Sequence, residues 1–167
     1  QWICGLPKRV QAFCHEGKWH DIEVEDDVTA YLEFENGATG VFVTTTGDAP
    51  GTNRFELTGT RGKLLCEDDV LTFWRLKEDE REFCRSSKEG FAKPETEKII
   101  VETDGENPQH VGVLNAFAAN ILRGEPLVAD GREGIRGLTL SNALHLSGWL
   151  HKPVGIPFNE DLFEREL

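Results

Sequence analysis

The dipeptide Asn36-Gly37 most constrains the fold, because it separates two β-rich runs, residues 28–34 and 38–45. Both residues tolerate positive φ, so Asn-Gly favours a tight two-residue reversal between antiparallel strands. With that reversal, Phe34 opposes Thr39, Leu32 opposes Val41, Ala30 opposes Val43 and Val28 opposes Thr45. Side chains alternate along a strand, so these pairs share one largely apolar face. The second face then carries Thr29, Tyr31, Glu33, Phe42 and Thr44. An apolar sheet face needs a second layer to cover it.

Further strands are expected at residues 7–13, 54–58, 63–67, 70–76, 81–85 and 99–102, with turns at Gly59-Thr60-Arg61-Gly62 and Asp68-Asp69. Residues 15–25, 46–53 and 86–97 are polar or rich in turn formers and read as loops. After residue 106 the hydrophobic period changes. Asn107-Pro108 is a helix start, Val111, Leu114, Phe117, Ala118, Ile121 and Leu122 follow at helical spacing, and Gly124 ends the helix. A second helix is expected from Asp130, with Glu133 completing a capping-box-like pair and a stripe of Ile135, Leu138, Leu146 and Trp149. Residues 159–167 read as a short helical tail. Strands first and helices last give an α+β class: a predominantly antiparallel, twisted open sheet with both helices packed on one face, forming one domain over residues 1–167.

A chain of 167 residues is long enough for a real core. Its net charge of −12 argues against binding nucleic acid or an anionic membrane surface. No run approaches the roughly 20 apolar residues that span a bilayer. Cys4, Cys14, Cys66 and Cys84 are scattered and read as free, buried thiols of a reducing, cytoplasmic compartment. The chain begins at Gln1 and has no Met, so it reads as starting inside a longer protein.

Few motifs carry chemistry. Cys14-His15 and His20-Asp21 match no zinc spacing, and Gly59-x-x-Gly62-Lys63 lacks the spacing and following helix of a phosphate loop. His110 opens a helix and reads as a surface residue or a neutral hydrogen-bonding group near a pocket. His145, between Leu144 and Leu146, reads as a packing histidine. No catalytic residue, metal ligand or cofactor-binding motif is expected in the chain.

Residues 110–149, HVGVLNAFAANILRGEPLVADGREGIRGLTLSNALHLSGW, resemble the end of the glucose–fructose oxidoreductase / inositol dehydrogenase / MocA family. So do Val154-Gly155-Ile156-Pro157, the stretch Glu56-Leu57-Thr58-Gly59-Thr60-Arg61-Gly62-Lys63-Leu64, and Trp2-Ile3-Cys4-Gly5-Leu6-Pro7. The resemblance implies a two-domain oxidoreductase (dehydrogenase) that uses NAD or NADP and acts on a sugar, polyol or related carbohydrate. It implies that this chain is the C-terminal domain alone, with a dihydrodipicolinate-reductase-like open sheet. The nicotinamide would be bound by an N-terminal Rossmann domain, and the catalytic aspartate and histidine would lie before Gln1.

On this reading the chain supplies one wall of the substrate pocket and an oligomer surface, and is inactive alone. Residues 46–54 and the helix start at His110 are the pocket candidates, with Asn53, Arg54 and His110 as hydrogen-bonding positions. Tyr31 and Phe42 on the second sheet face are the candidates for a homo-oligomer interface, dimer or tetramer. The competing reading is a non-enzymatic dimerisation or binding module with the same layout.

Overall fold

The computed structural model describes residues 1–167. In chain order the elements are β1 (Arg9–Glu16), β2 (Glu25–Glu33), β3 (Thr39–Thr45), β4 (Arg54–Gly59), β5 (Gly62–Glu67), β6 (Val70–Leu76), α1 (Glu80–Ser86), β7 (Thr96–Ile100), α2 (Gln109–Arg123), α3 (Glu133–Leu150), β8 (Val154–Gly155) and α4 (Glu160–Glu166). The α+β class holds. The strands form two four-stranded antiparallel sheets rather than one, in the orders β3-β2-β1-β8 and β4-β5-β6-β7. The chain divides into two compact units, Gln1–Pro50 with Ala116–Leu167, and Gly51–Asn115.

In the first unit the hairpin at Asn36-Gly37 forms, with a different reversal. Gly37 N–H donates to Phe34 C=O at 3.1 Å, and Phe34 N–H donates to Ala38 C=O at 2.9 Å. Only Gly37 takes a positive φ, +83°, and Asn36 Oδ1 accepts the Ala38 N–H at 2.9 Å. The loop is therefore three residues, closed by one left-handed glycine, where two were expected. The extra residue shifts the register by one: Glu33 opposes Thr39, Tyr31 opposes Val41 and Ala30 opposes Phe42. A slip of one turns every side chain of β3 to the opposite face. Val41 and Val43 stand beside Tyr31, and Phe42 stands on the side of buried Ala30. The expectation that Tyr31 and Phe42 share a face is corrected by this turn geometry.

The core of this unit is Val10, Ala12, Ala30 and Leu32 from the sheet, Ala143, Leu144 and Leu146 from α3, and Val154. Small residues bring α3 close to β1. Ser147 is fully buried; its Oγ accepts the Ala12 N–H at 2.9 Å and donates to Lys152 C=O at 2.7 Å. Gly148 faces Cys14, whose Sγ would lie 2.7 Å from an added Cβ.

Two expectations about the helices are corrected. Only the C-terminal half of α3 is buried; Ile135 and Leu138, expected on its packing stripe, are exposed. In α2 only Ala119 is buried, and Val111, Leu114, Phe117, Ile121 and Leu122 are exposed. Helical spacing reports that a face is apolar, not which surface meets it. Asp130 does not cap α3. Its C=O accepts Glu133 N–H and its Oδ1 accepts Arg132 N–H, which makes a turn ahead of the helix.

In the second unit, residues 81–85 are not a strand but lie in α1. Asp79 caps this helix by accepting the Arg81 N–H at 3.0 Å, with Glu80 and Glu82 in the first turn and Arg85 in the last. That charge order suits a helix dipole. All four cysteines are free; Cys14 is half-buried, but Cys4, Cys66 and Cys84 are exposed, against the expectation of burial.

Candidate functional site

The densest polar structure in the first unit is built on Asp26. It lies in the same alternation as Val28, Ala30 and Leu32, so its carboxylate points to the buried side of β2. A buried carboxylate requires donors. Three come from the β1–β2 loop: Lys18 N–H at 3.0 Å to Oδ1, and Trp19 N–H at 2.7 Å and His20 N–H at 2.9 Å to Oδ2. The fourth is His20 Nδ1, 3.3 Å from Oδ2. Burial works to raise the Asp26 pKa, but the hydrogen bonds from Trp19, His20 and Lys18 outweigh it and hold the carboxyl below its ordinary range.

The same residue ties in the end of β3. Asp26 C=O accepts the Thr46 N–H at 3.0 Å and the Thr46 hydroxyl at 3.4 Å. Thr46 Oγ1 stands 3.1 Å from His20 Nδ1. The Thr46 hydroxyl is committed as a donor to Asp26, and Asp26 Oδ2 can only accept, so Nδ1 carries the imidazole hydrogen. Nε2 of His20 is left at the surface, on a side chain 48% exposed.

Trp19 completes the junction. Its ring lies against Gly47 so closely that an added Cβ there would stand 2.4 Å from ring carbons. Its Nε1–H donates to Asp27 Oδ2 at 3.4 Å, and Lys18 Nζ bonds the same oxygen at 2.9 Å. The other oxygen of Asp27 meets His15 Nδ1 at 3.1 Å. The Lys18 ammonium, with the Trp19 and His15 donors, holds the Asp27 carboxyl below its usual range. Although fixed at one edge and against Gly47, Trp19 is 53% exposed.

The junction borders the uncovered face of the sheet. Alternation places Phe13, Tyr31, Val41 and Val43 there, all exposed. The Arg9–Glu33 ion pair (2.7 Å) lies at one end of this apolar band and the His15–Asp27–Lys18 cluster at the other.

Asn53, Arg54 and His110 all lie in the second unit, and no hydrogen bond joins them. Arg54 is already engaged by Glu56 at 2.6 Å and Glu67 at 3.2 Å. His145 packs as expected: Nε2 meets Glu25 Oε1 at 2.8 Å and the ring stacks on Trp149. A cleft of about 630 Å³ opens beside this pair, lined by Glu16, Glu23, Glu25, Trp149, Phe163 and Glu166 among others. No three His, Cys, Asp or Glu side chains gather as a metal site. No helix is long and apolar enough to cross a membrane.

The sequence reading passed over Asp26 and Trp19. The signals were present: an acid in register with a core stripe, and a tryptophan inside a polar loop.

Residues 1–65 match the GFO/IDH/MocA C-terminal domain, which agrees with the resemblance seen in the sequence. No curated protein sequence matches the chain. Among solved structures, the chain shares its fold with the WlbA dehydrogenase of Bordetella pertussis in complex with NADH and UDP-GlcNAcA, at 21% identity and TM-score 0.69, covering 95% of this chain and 42% of that one. A second is the aldose-aldose oxidoreductase of Caulobacter crescentus complexed with glycerol, at 17% identity and TM-score 0.67, covering 91% and 42%. A third is the UDP-N-acetylglucosamine 3-dehydrogenase GnnA of Acidithiobacillus ferrooxidans, at 14% identity and TM-score 0.64, covering 86% and 40%. The chain spans less than half the length of each.

Proposed function

We propose that the chain is the C-terminal domain of an NAD- or NADP-dependent oxidoreductase of the glucose–fructose oxidoreductase / inositol dehydrogenase / MocA family, acting on a sugar, polyol or related carbohydrate. The observation that carries this reading is the match of residues 1–65 to that family's C-terminal domain, together with the fold of dehydrogenases that bind sugar derivatives. In the parent enzyme a hydride passes between nicotinamide and a substrate carbon, and groups outside this chain hold the cofactor and handle the hydroxyl proton. This domain contributes one wall of the substrate pocket and is inactive by itself. Asn53, Arg54 and His110 remain hydrogen-bonding positions for a polyhydroxylated substrate; Arg54 would have to exchange a carboxylate partner for substrate.

The uncovered face of the first sheet is the proposed oligomer surface, with a homodimer or tetramer in a cytoplasmic compartment. Tyr31 keeps its place there, joined by Phe13, Val41 and Val43; Phe42 lies on the other side. An apolar centre between two polar ends has the anatomy of an interface core and rim.

The test is an initial-rate assay of the full-length parent with NAD⁺ or NADP⁺ and a panel of hexoses, hexuronates and polyols. Reduction of the nicotinamide by the parent supports the reading. A parent gene with no nicotinamide-binding domain supports the competing binding-module reading instead.

A further inference from the structure

We propose that Trp19 and His20 form a stacking platform for a pyranose ring. This rests on the function proposed above and deepens it by naming a sugar-binding position contained within the first unit.

Four observations point there. Trp19 presents over half its surface to solvent, although its edge is bonded to Asp27 and its ring lies against Gly47. His20 is held by Nδ1 between Asp26 and Thr46, which leaves Nε2 as its free nitrogen on a half-exposed side chain that follows Trp19 in the chain. The carboxylate that does this is buried and saturated by loop donors, so the two side chains share one rigid support. Lys18 Nζ lies over the indole, 5.0 Å from its centroid, while paired with Asp27 at 2.9 Å, and adds a donor there.

A flat apolar ring beside a few directed polar groups is the chemistry that suits a pyranose: the C–H face lies on the aromatic ring while hydroxyls meet the imidazole and ammonium. Fixing the groups beforehand lowers the cost of ordering them on binding. Asp26 acts through Trp19 and His20 and is a positioning residue.

The experiment follows the four tryptophan indole N–H resonances of the ¹⁵N-labelled chain, assigned with single Trp→Phe variants. Methyl β-D-glucopyranoside is titrated in, with uridine as a second arm. The proposal expects a saturable shift of the Trp19 resonance with the pyranoside, weakened about tenfold by His20→Ala. Trp2, Trp74 and Trp149 should stay still. No Trp19 shift, equal movement of all four, or a response to uridine alone overturns the platform. In the parent, Trp19→Ala should raise the sugar KM about tenfold with little change in the nicotinamide KM. An unchanged sugar KM in an active parent sinks the platform while leaving the proposed function standing. A parent that turns over no sugar sinks the proposed function first.

Discussion

The indole of Trp19 and the backbone of Gly47 touch so closely that no Cβ fits between them; it would stand 2.4 Å from the ring. This contact joins the β1–β2 loop to the segment that follows β3. Gly47→Ala must therefore push the indole aside. It should move the Trp19 resonance and abolish its response to sugar, with global stability changed by less than about 1.5 kcal/mol because the core is elsewhere. Heteronuclear spectra and urea unfolding check the two halves of this statement.

Asp26 gives the junction a pH dependence. Burial pushes its pKa up, but the loop N–H donors win and the folded value lies below the ordinary one. A carboxylate with a lowered folded pKa stabilises the native state above its unfolded pKa, and that contribution is lost as pH falls through the folded value. The loop should thus stay pinned at neutral pH and release only as pH falls through that lowered folded value. Asp26→Asn should lower Tm at neutral pH by several degrees and remove this acid step. Trp19 indole shifts measured from pH 6 downward check it.

Ser147 and Gly148 set the distance between α3 and β1. Ser147→Ala leaves the Ala12 N–H buried without its acceptor and should cost about 1–3 kcal/mol. Gly148→Ala drives a Cβ toward Cys14 Sγ and should cost about 1–3 kcal/mol by overpacking. Ile135→Ala, on an exposed stretch of the same helix, should change stability by about 0.5 kcal/mol or less. Denaturant midpoints at constant slope are the readout.

The register of β3 decides which side chains an interface can use. Tyr31→Glu with Val43→Glu places charge in the centre of the uncovered face and should yield a monomer. Phe42→Glu, on the opposite side, should leave the oligomer intact. Sedimentation velocity distinguishes them, and dissociation by Phe42→Glu alone would reverse the assignment.

Much of this fold could be read in advance because its signals are local. Period-two alternation marked Val28, Ala30 and Leu32, all buried, and Gly124 marked the end of α2. The failures came where a local pattern has two solutions. Asn36-Gly37 serves a two-residue reversal or a longer one with only Gly37 left-handed, and the choice shifts Phe42 across the sheet. Residues 81–85 follow directly on the meander strands and read as one more of them, but Asp79 supplies a cap and the charges follow a helix. The candidate site was harder still. Asp26 and Thr46 are far apart in sequence, and only the paired strands bring them together.

As proposed above, this chain would serve a nicotinamide enzyme without holding the nicotinamide itself. Calorimetric titration of NADH and of NADPH into the 167-residue chain tests it most directly. The account predicts no saturable heat with either cofactor. Saturable binding of either one at micromolar concentration would contradict it.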